Sequence, residues 1–432
     1  MLARFIISFK NVKQTFMKKY IFFIREYNDW DNLAPIIYYI AKNNSSKIIV
    51  CFYNSDQRET ALFKYLNEHI GKNLEIFYLK PKKLDIIINF GVKIVNKFLR
   101  ISKLGFNLKT NKDHNIQDKI LTKWFKAMNL KSYDRVIYVF DRTVDSILKQ
   151  VKNQSKDLNC LFVSCPHGPM TNINRMTHIH QLKRIKNLNS LRAESEEEMK
   201  KYFKYYDYLL FTDHIELKYN KEYCIPYEEN SKNKSKIKVL GAIRYCNEWL
   251  NHVSNFTPKV SNKNNSKLKA VFFMKKFQHN VFKEEVYRTL SMFALFPNID
   301  FYIKPHTRGM NFSTNSNANN IHIVEDQTSS YLIDMSDVVL FYGGTSIILE
   351  AIAKKKLIAC VDYLDANINV FDYFKACHSL KCRDDLSIFL DSLSSGKTLL
   401  KNDDQNLLKE IIYAGNYSTS VPDRYVNFFK SL

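Results

Sequence analysis

The fold of this chain is decided by "DVVLFYGGTSIILEAIAKKKLIACVDY", residues 337–363. An apolar run ends at Gly343 and Gly344, Thr345 and Ser346 follow, and a helical pattern then leads into a second apolar run. Two apolar strands joined by a helix predict a βαβ unit, in which the strands are parallel and buried on both faces. The whole chain has only 10 glycines. Two adjacent glycines therefore indicate a backbone that approaches another group closely.

The same alternation of apolar runs and amphipathic segments extends outward from this unit over most of the chain. One set of runs lies between "YIFFIRE" (20–26) and "IKVLG" (237–241), and a second set begins at "KAVFFM" (269–274). The intervening segment, 251–268, is rich in Asn, Ser and Lys and has the composition of a linker. We therefore predict an α/β fold with two Rossmann-like domains facing a cleft, at residues 17–250 and 269–432.

Composition excludes several classes of protein. Hydrophobic residues make up 45% of the chain, which suits a globular protein rather than a disordered or fibrous one. The net charge of +22 favours anionic partners, but no zinc-finger or RNA-binding signature is present, so we expect no specific nucleic-acid partner. The eight cysteines form no CxxC pair, which suits a reducing compartment, and we therefore expect a cytoplasmic protein. It would be peripheral to the inner membrane if its basic surface meets anionic lipid.

Residues 1–16 precede a second methionine and are interpreted as a non-native extension or a short membrane-touching segment.

In the first domain, candidate catalytic residues follow two of the predicted strands. "VSCPHGPMTN" (163–172) holds His167 in a turn between prolines, where an imidazole can exchange a proton near neutral pH. The alternative is a structural histidine. "REYNDWDN" (25–32) supplies Asp29 and Asp31, either of which could be a base that activates a hydroxyl, or Asp31 could cap the next helix. The pair His178 and His180 lacks carboxylate partners at ligand spacing, so no metal is predicted.

In the second domain, candidate anion ligands also follow the strands. "FYIKPHTRGM" (301–310) places Lys304, His306 and Arg308 on one turn, and Lys275 follows an earlier strand. These cations could bind phosphate oxygens, or they could belong to an ordinary basic loop.

The double glycine adds a second candidate wall to this phosphate site. Gly343 and Gly344 could let a ligand come close, and Thr345 or Ser346 could cap the helix and bond a phosphate. Glu350 could accept hydrogen bonds from a ribose, or pair with a nearby lysine. Arg244, in "VLGAIRYCNEW", could reach the anionic ligand or form an ion pair between the domains.

The order of these motifs resembles one group of enzymes. A strand–"PHG" turn, "VLGAIRYCNEW", a strand–"KPH" turn and "GGTSIILEAIA" together look like the GT-B transferases of bacterial surface polysaccharides. The resemblance is greatest to the group of CDP-glycerol glycerophosphotransferases and capsule Kdo and sialic acid transferases. It implies a GT-B fold, a first domain that binds the acceptor and a second that binds the nucleotide donor. It also implies catalysis by His167 and phosphate binding by His306, Thr345 and Ser346. Thr307 and Gly343-Gly344 depart from the group's usual residues, which leaves a CMP-, CDP- or UDP-linked donor open.

The resemblance predicts a metal-independent transferase that moves a sugar or polyol phosphate from a nucleotide donor to a growing surface glycan or a lipid-linked acceptor. No cofactor is expected, because the activated donor is a substrate. Two alternatives remain at this point. One is a non-hydrolysing UDP-N-acetylglucosamine 2-epimerase, which needs clustered carboxylates that the sequence does not show clearly. The other is a non-catalytic, membrane-peripheral protein that binds polyanions.

Overall fold

The structure, a computed structural model, describes residues 18–43, 47–79, 121–169, 171–172, 200–217, 235–258, 267–277, 281–306, 318–397 and 404–432. These residues form two parallel β-sheets with helices packed on their faces. No helix in these ranges is both long and apolar enough to cross a bilayer.

The first sheet is assembled from the N-terminal half of the chain. Its strands are β1 (Lys18–Ile24), β2 (Ile48–Phe52), β3 (Leu74–Tyr78), β4 (Arg135–Asp141), β5 (Cys160–Cys165), β6 (Tyr208–Phe211) and β7 (Ile237–Val239). Their order is β3-β2-β1-β4-β5-β6-β7 and all neighbours are parallel. The associated helices are α1 (Tyr27–Asn43), α2 (Ala61–Ile70), α3 (Ser146–Gln154) and α4 (Asn247–Phe256).

The second sheet repeats this plan. Its strands are β8 (Leu268–Phe273), β9 (Ile299–Lys304), β10 (Ile321–Ile323), β11 (Val338–Phe341), β12 (Leu357–Val361) and β13 (His378–Leu380). They lie in the order β10-β9-β8-β11-β12-β13 and are likewise parallel. The helices are α5 (Lys283–Phe293), α6 (Ser329–Met335), α7 (Ile348–Ala353), α8 (Val370–Tyr373), α9 (Arg383–Ser394) and α10 (Val421–Ser431).

The near-continuous apolar runs of the sequence become strands that are buried on both faces. In β1, Tyr20 and Phe22 belong to one hydrophobic cluster, and Ile21 and Phe23 to the cluster on the opposite face. Because successive side chains of a strand point to opposite faces, each face needs its own apolar set. The sequence-based strands agree with the structure. The short β13 was not predicted, since its residues His378 to Leu380 mix polar and apolar side chains.

The strand orders place a topological switch point in each sheet. The order reverses between β1 and β4 in the first sheet and between β8 and β11 in the second. In open α/β sheets, ligands bind beyond the carboxyl ends of the strands at such points. The motif with Asp29 and Asp31 follows β1, and Gly343 follows β11, so both candidate motifs lie at these positions.

The connections between the two sheets differ in detail from the sequence-based plan. The predicted linker 251–268 begins inside α4, and its last residue is the first of β8. The final helix, α10, packs on the first sheet: the ring of Phe429 lies 6.1 Å from that of Tyr20, and the Tyr425 hydroxyl donates to the Gly241 carbonyl at 3.0 Å. The chain therefore crosses to the second sheet and then returns. Residues 1–16 lie outside the described residues.

Candidate active site between the two sheets

A polar cavity of about 300 Å³ lies between the carboxyl ends of the two sheets. Its volume is at the lower end of the range for small-molecule sites. Its walls come from both domains. The first domain supplies Asn28, Asp31, Asn32, His167, Gly168, Pro169, Thr171 and Tyr245, and the second supplies His306, Gly344, Thr345 and Ser346. Predicted residues from four separate motifs are thus brought to one place.

His167 projects from the turn that follows β5 and is 41% exposed. The turn is held against α1, since the Asn32 side-chain amide donates to the His167 carbonyl at 3.0 Å. The ring nitrogen Nδ1 lies 2.8 Å from Asp141 Oδ2, at the end of the neighbouring strand β4. A carboxylate on one ring nitrogen fixes the ring and its tautomer, so proton exchange with a ligand would run through the other nitrogen, Nε2.

Asp29 lies behind His167 in the first turns of α1 and is 1% exposed. Its Oδ1 is 3.5 Å from His167 Nδ1. Arg25 bridges the two acids, with guanidinium nitrogens 3.7 Å from Asp29 and 3.6 Å from Asp141. Burial, and then the charge of Asp141, raises the pKa of the Asp29 carboxyl to about 6, against the opposing effects of Arg25 and His167.

Asp29, Asp141 and His167 also have the residue types of a metal site, with one ligand atom each within 4.8 Å of one another. Arg25 already supplies positive charge to both carboxylates. Two carboxylates and an imidazole could hold a small divalent cation, or they could serve proton transfer.

Asp31 and Arg244 belong to a charged contact between the domains. Arg244 donates to Asp31 at 2.7 Å and to Glu350 at 3.5 Å. Glu350 is fully buried and also lies 3.0 Å from Lys354. Burial raises the pKa of Asp31, while Arg244 opposes this effect. Arg244 therefore makes the interdomain ion pair that was one of its two predicted roles, and the ribose contact of Glu350 stays a prediction.

Neighbouring protein groups are sufficient to explain why positions 343 and 344 are glycines. A Cβ at Gly344 would lie 2.3 Å from Asn172 Oδ1 and 2.6 Å from Thr171 Oγ1, both from the first half of the chain. Gly343 has a φ of +63°, and a Cβ there would lie 2.3 Å from Asp365 Oδ2. The backbones continue this contact, because Val370 N donates to the Thr171 carbonyl at 3.0 Å. Gly344 lets a segment of the first domain rest on the second beside the cavity, and Gly343 leaves room for Asp365 of its own domain.

Thr345 and Ser346 line the cavity but do not cap α7 with their side chains. That helix begins at Ile348, and Ile347, the residue before it, makes no side-chain hydrogen bond to its first turn. Instead, the carbonyls of Thr345 and Ser346 accept from the backbone N–H groups of Ile348 and Leu349. The Ser346 hydroxyl accepts a hydrogen bond from Tyr245 at 3.0 Å, which adds a second polar link between the domains.

The predicted phosphate ligands are only partly brought together. His306 lines the cavity. Lys275 forms a 2.6 Å ion pair with the buried Asp365. The buried Lys304 donates to the Glu325 carbonyl, and burial lowers its pKa. Arg308 lies outside the described residues, as do His178 and His180.

Sequence reasoning missed Asp141, Arg25 and Thr171. Asp141 had a usable signal, because it is the acid that ends the apolar run "RVIYVFD" at the carboxyl end of a strand. Arg25 occupies the equivalent place after β1. Thr171 had no local signal, since its importance depends on packing against Gly344.

A second buried acidic group lies at the end of β6. Asp213 Oδ2 accepts from the Thr212 hydroxyl at 2.7 Å, Asp213 Oδ1 accepts from Glu216 N at 2.7 Å, and Arg142 pairs with Glu216. Burial, and then the charge of Glu216, raises the pKa of Asp213 to about 7. None of these acids lines the cavity, so we interpret this group as a structural network.

Comparison with known proteins identifies the fold. No family model matches the sequence, and no curated protein matches it either. Among solved structures, similar ones include a complex of MnaA from S. aureus with UDP, at 11% identity, 96% coverage of each chain and a TM-score of 0.51. Another is Arabidopsis thaliana UGT89C1 complexed with UDP, at 9% identity, 96% and 99% coverage and a TM-score of 0.50. A third is a Listeria monocytogenes protein classed as a UDP-N-acetylglucosamine 2-epimerase, at 9% identity, 88% coverage of each chain and a TM-score of 0.50.

At these identities the likeness concerns the fold. The predicted fold class is confirmed: two Rossmann-like α/β domains face a cleft, in the GT-B arrangement.

Proposed function

We propose that this chain is a nucleotide-sugar-dependent transferase. It would move a sugar or polyol phosphate to a growing bacterial surface polysaccharide without a metal ion. The observation that carries the proposal is one cavity that contains a carboxylate-held histidine on one wall and hydroxyl and imidazole groups on the other. The UDP complexes of two structural neighbours support a nucleotide ligand.

In this mechanism the first-domain wall supplies the base, and the second-domain wall binds the phosphate. His167 takes the proton of the acceptor hydroxyl, whose oxygen then attacks the anomeric carbon of the sugar or the phosphorus of the polyol phosphate. The bond to the nucleotide breaks, and its electron pair leaves with the nucleotide. His306, Thr345 and Ser346 donate hydrogen bonds to the phosphate that develops charge, as preorganised donors do in other transfer reactions.

Nucleotide binding tests the second wall directly. Calorimetry with CMP, CDP, UDP and GDP would identify the base, and His306→Ala should weaken the preferred nucleotide about tenfold or more, because a hydrogen bond to a charged group contributes roughly 1.5–3 kcal/mol. His322→Ala is the matched control, since His322 lies in β10. Equal affinity of His306→Ala and the wild type would contradict the assignment.

Ser346 requires its own control because it also bonds Tyr245. Ser346→Ala should weaken nucleotide binding more than Tyr245→Phe does, since Ser346→Ala removes the hydroxyl proposed to bond the phosphate and Tyr245→Phe leaves that hydroxyl in place. If the two variants lose the same affinity, Ser346 acts through the domain contact instead of the ligand.

A UDP-N-acetylglucosamine 2-epimerase is the second candidate, and the paired carboxylates Asp29 and Asp141 favour it. Such an enzyme removes a proton from the sugar and needs acids near the base. Incubation of the protein with UDP-N-acetylglucosamine alone in D₂O separates the two candidates. Deuterium at C2 and formation of the 2-epimer without any acceptor would replace the transferase proposal.

The basic composition supports a membrane-peripheral location beside either activity. Binding to anionic lipid vesicles that weakens with salt and does not respond to nucleotide would support that location. Strong polyanion binding combined with no affinity for any nucleotide would favour the non-catalytic alternative.

A further inference from the structure

One carboxylate oxygen behind the cavity wall has no hydrogen-bond partner among the described residues. Asp29 Oδ2 accepts from the backbone N–H groups of Arg25 at 3.0 Å and Glu26 at 3.3 Å. Asp29 Oδ1 is buried and accepts no hydrogen bond from any described residue. It faces His167 Nδ1 at 3.5 Å.

A buried carboxylate oxygen without a partner destabilises a folded protein, so its presence needs an explanation. The hydrogen on His167 Nδ1 is directed to Asp141, which lies closer, at 2.8 Å. With a neutral imidazole, Asp29 and Asp141 carry two negative charges, and Arg25, whose guanidinium nitrogens lie 3.7 Å and 3.6 Å from them, carries one positive charge. Within this group of described residues, negative charge therefore exceeds positive charge until the imidazole becomes a cation.

We propose that Asp29 is a positioning residue whose buried oxygen stabilises the imidazolium form of His167. The inference rests on the proposed function, in which His167 gains a proton when it activates the acceptor. The acceptor's proton moves to Nε2, the O–H electron pair forms the new bond, and the hydrogen on Nδ1 remains between the two carboxylates. A charge that is already in place and matches the later state lowers the barrier without rearrangement.

The two acids then have different roles. Asp141 makes the short hydrogen bond to Nδ1 and fixes the orientation of the ring. Asp29 contributes mainly charge, at the longer distance. The pKa of Asp29 is raised mainly by burial and then by the charge of Asp141, while Arg25 and His167 oppose this effect, so a cationic neighbour stabilises the Asp29 carboxylate.

The charged groups that face His167 come from several elements. Arg25 follows β1, Asp29 belongs to α1 and Asp141 ends β4. Asp31 and His306 line the same cavity. Any pH dependence of His167 includes all of these groups, so the test must compare variants that differ in one charge.

NMR titration of the His167 imidazole in the ligand-free protein tests the inference without any substrate. In Asp29→Asn, the titration midpoint should fall by about one pH unit or more, because an opposite charge within ~4–6 Å favours the protonated ring by that amount. The asparagine oxygen can still accept from the backbone of Arg25 and Glu26, which preserves the start of α1. His167→Gln assigns the signal, and Asp29→Ser is the second uncharged variant if Asp29→Asn does not fold.

Asp213→Asn is the matched control, because it removes a buried acid at another strand end of the same sheet. It should leave the His167 midpoint unchanged, and Asp29→Glu should restore the midpoint toward that of the wild type. An unchanged midpoint in both uncharged variants would overturn the inference.

Turnover gives the second readout once a donor is known. Asp29→Asn should lower kcat about tenfold, the equivalent of one pH unit, and leave the nucleotide KM unchanged. Absence of turnover by the wild type would reject the proposed function alone, since the titration still decides the role of Asp29. Mn²⁺ binding measured by electron paramagnetic resonance, present in the wild type and lost in Asp29→Asn, would instead make this cluster a cation site and overturn the inference.

Discussion

The two walls of the cavity are built from different chemistry. On the first-domain side, Arg25, Asp29 and Asp141 lie behind His167 and form a compact charged group with it. The second-domain wall presents Gly344, two hydroxyl residues and one imidazole. Two lysines predicted for this wall are directed to other partners, Lys275 to Asp365 and Lys304 to a backbone carbonyl.

This difference indicates where charge is needed before a ligand arrives. A group that exchanges protons requires charged neighbours at fixed distances, because those neighbours determine its pKa. A phosphate brings its own charge, and neutral donors or backbone N–H groups are sufficient to hold it. Arg244 links the two walls, because it donates to Asp31 of the first domain and to Glu350 of the second.

The largest expected effect follows from Arg244→Met. This change leaves Asp31 and the buried Glu350 without their shared cation. Breaking a buried charge network from one side costs about 3–5 kcal/mol, and urea denaturation should show a loss of that size. Lys381→Met, which removes a surface cation paired with Asp362 and Asp372, is the control. A loss as small as that of the control would show that the two walls are held together by other contacts.

Gly344→Ala should have the next largest effect. The added methyl would meet Asn172 and Thr171, and overpacking of this kind costs about 1–3 kcal/mol. Thermal unfolding and nucleotide affinity should both decrease. Gly71→Ala is the control, because Gly71 has a φ of −55° and a Cβ added there would meet only the end of the Asn67 side chain, at 3.0 Å. If Gly344→Ala weakens nucleotide binding but leaves stability unchanged, the glycine serves the ligand rather than the domain contact.

A smaller, pH-dependent effect is expected from the buried acids of the first domain. The pKa of Asp213 is raised from 3.8 to about 7 in the folded protein. Since the folded state then holds a proton more tightly than the unfolded state, this group makes the protein less stable as the pH rises from about 4 to 7. The stability of Asp213→Asn relative to the wild type should increase across this window, by at most about 1.4 kcal/mol per pH unit.

Urea denaturation at several pH values between 4 and 8 measures this difference. Asp384→Asn, at an exposed position of α9, should show no such trend. A constant difference between Asp213→Asn and the wild type would mean that Asp213 does not titrate in this window.

The smallest effect is expected from Lys304→Met. Because the Lys304 ammonium group donates to the Glu325 carbonyl, its removal should change nucleotide affinity by less than about threefold, roughly 0.6 kcal/mol. Calorimetry of this variant beside His306→Ala provides the comparison. A loss of affinity equal to that of His306→Ala would show that Lys304 turns toward the ligand. The second-domain wall would then also contribute a charged group, and the two walls would no longer differ in this respect.

The sequence was sufficient for the fold and for several candidate residues that meet at one cavity, because strand burial and strand ends are local patterns. His167, His306, Thr345 and Ser346 follow predicted strands and line one cavity. The partners of side chains could not be predicted in this way. Lys275 and Arg244 bind acids that are distant in sequence, and only the packed structure shows which acids they reach.

The return of α10 to the first sheet has a consequence for synthesis of the chain. Phe428 and Phe429 cover Tyr208, Tyr20 and Phe22 of the first sheet. A ribosome releases the strands of that sheet well before this helix, and the whole second sheet is made in between. During synthesis the first domain therefore exposes an apolar face that α10 later covers. We expect newly made chains to need chaperone protection until residues 421–431 have emerged from the ribosome.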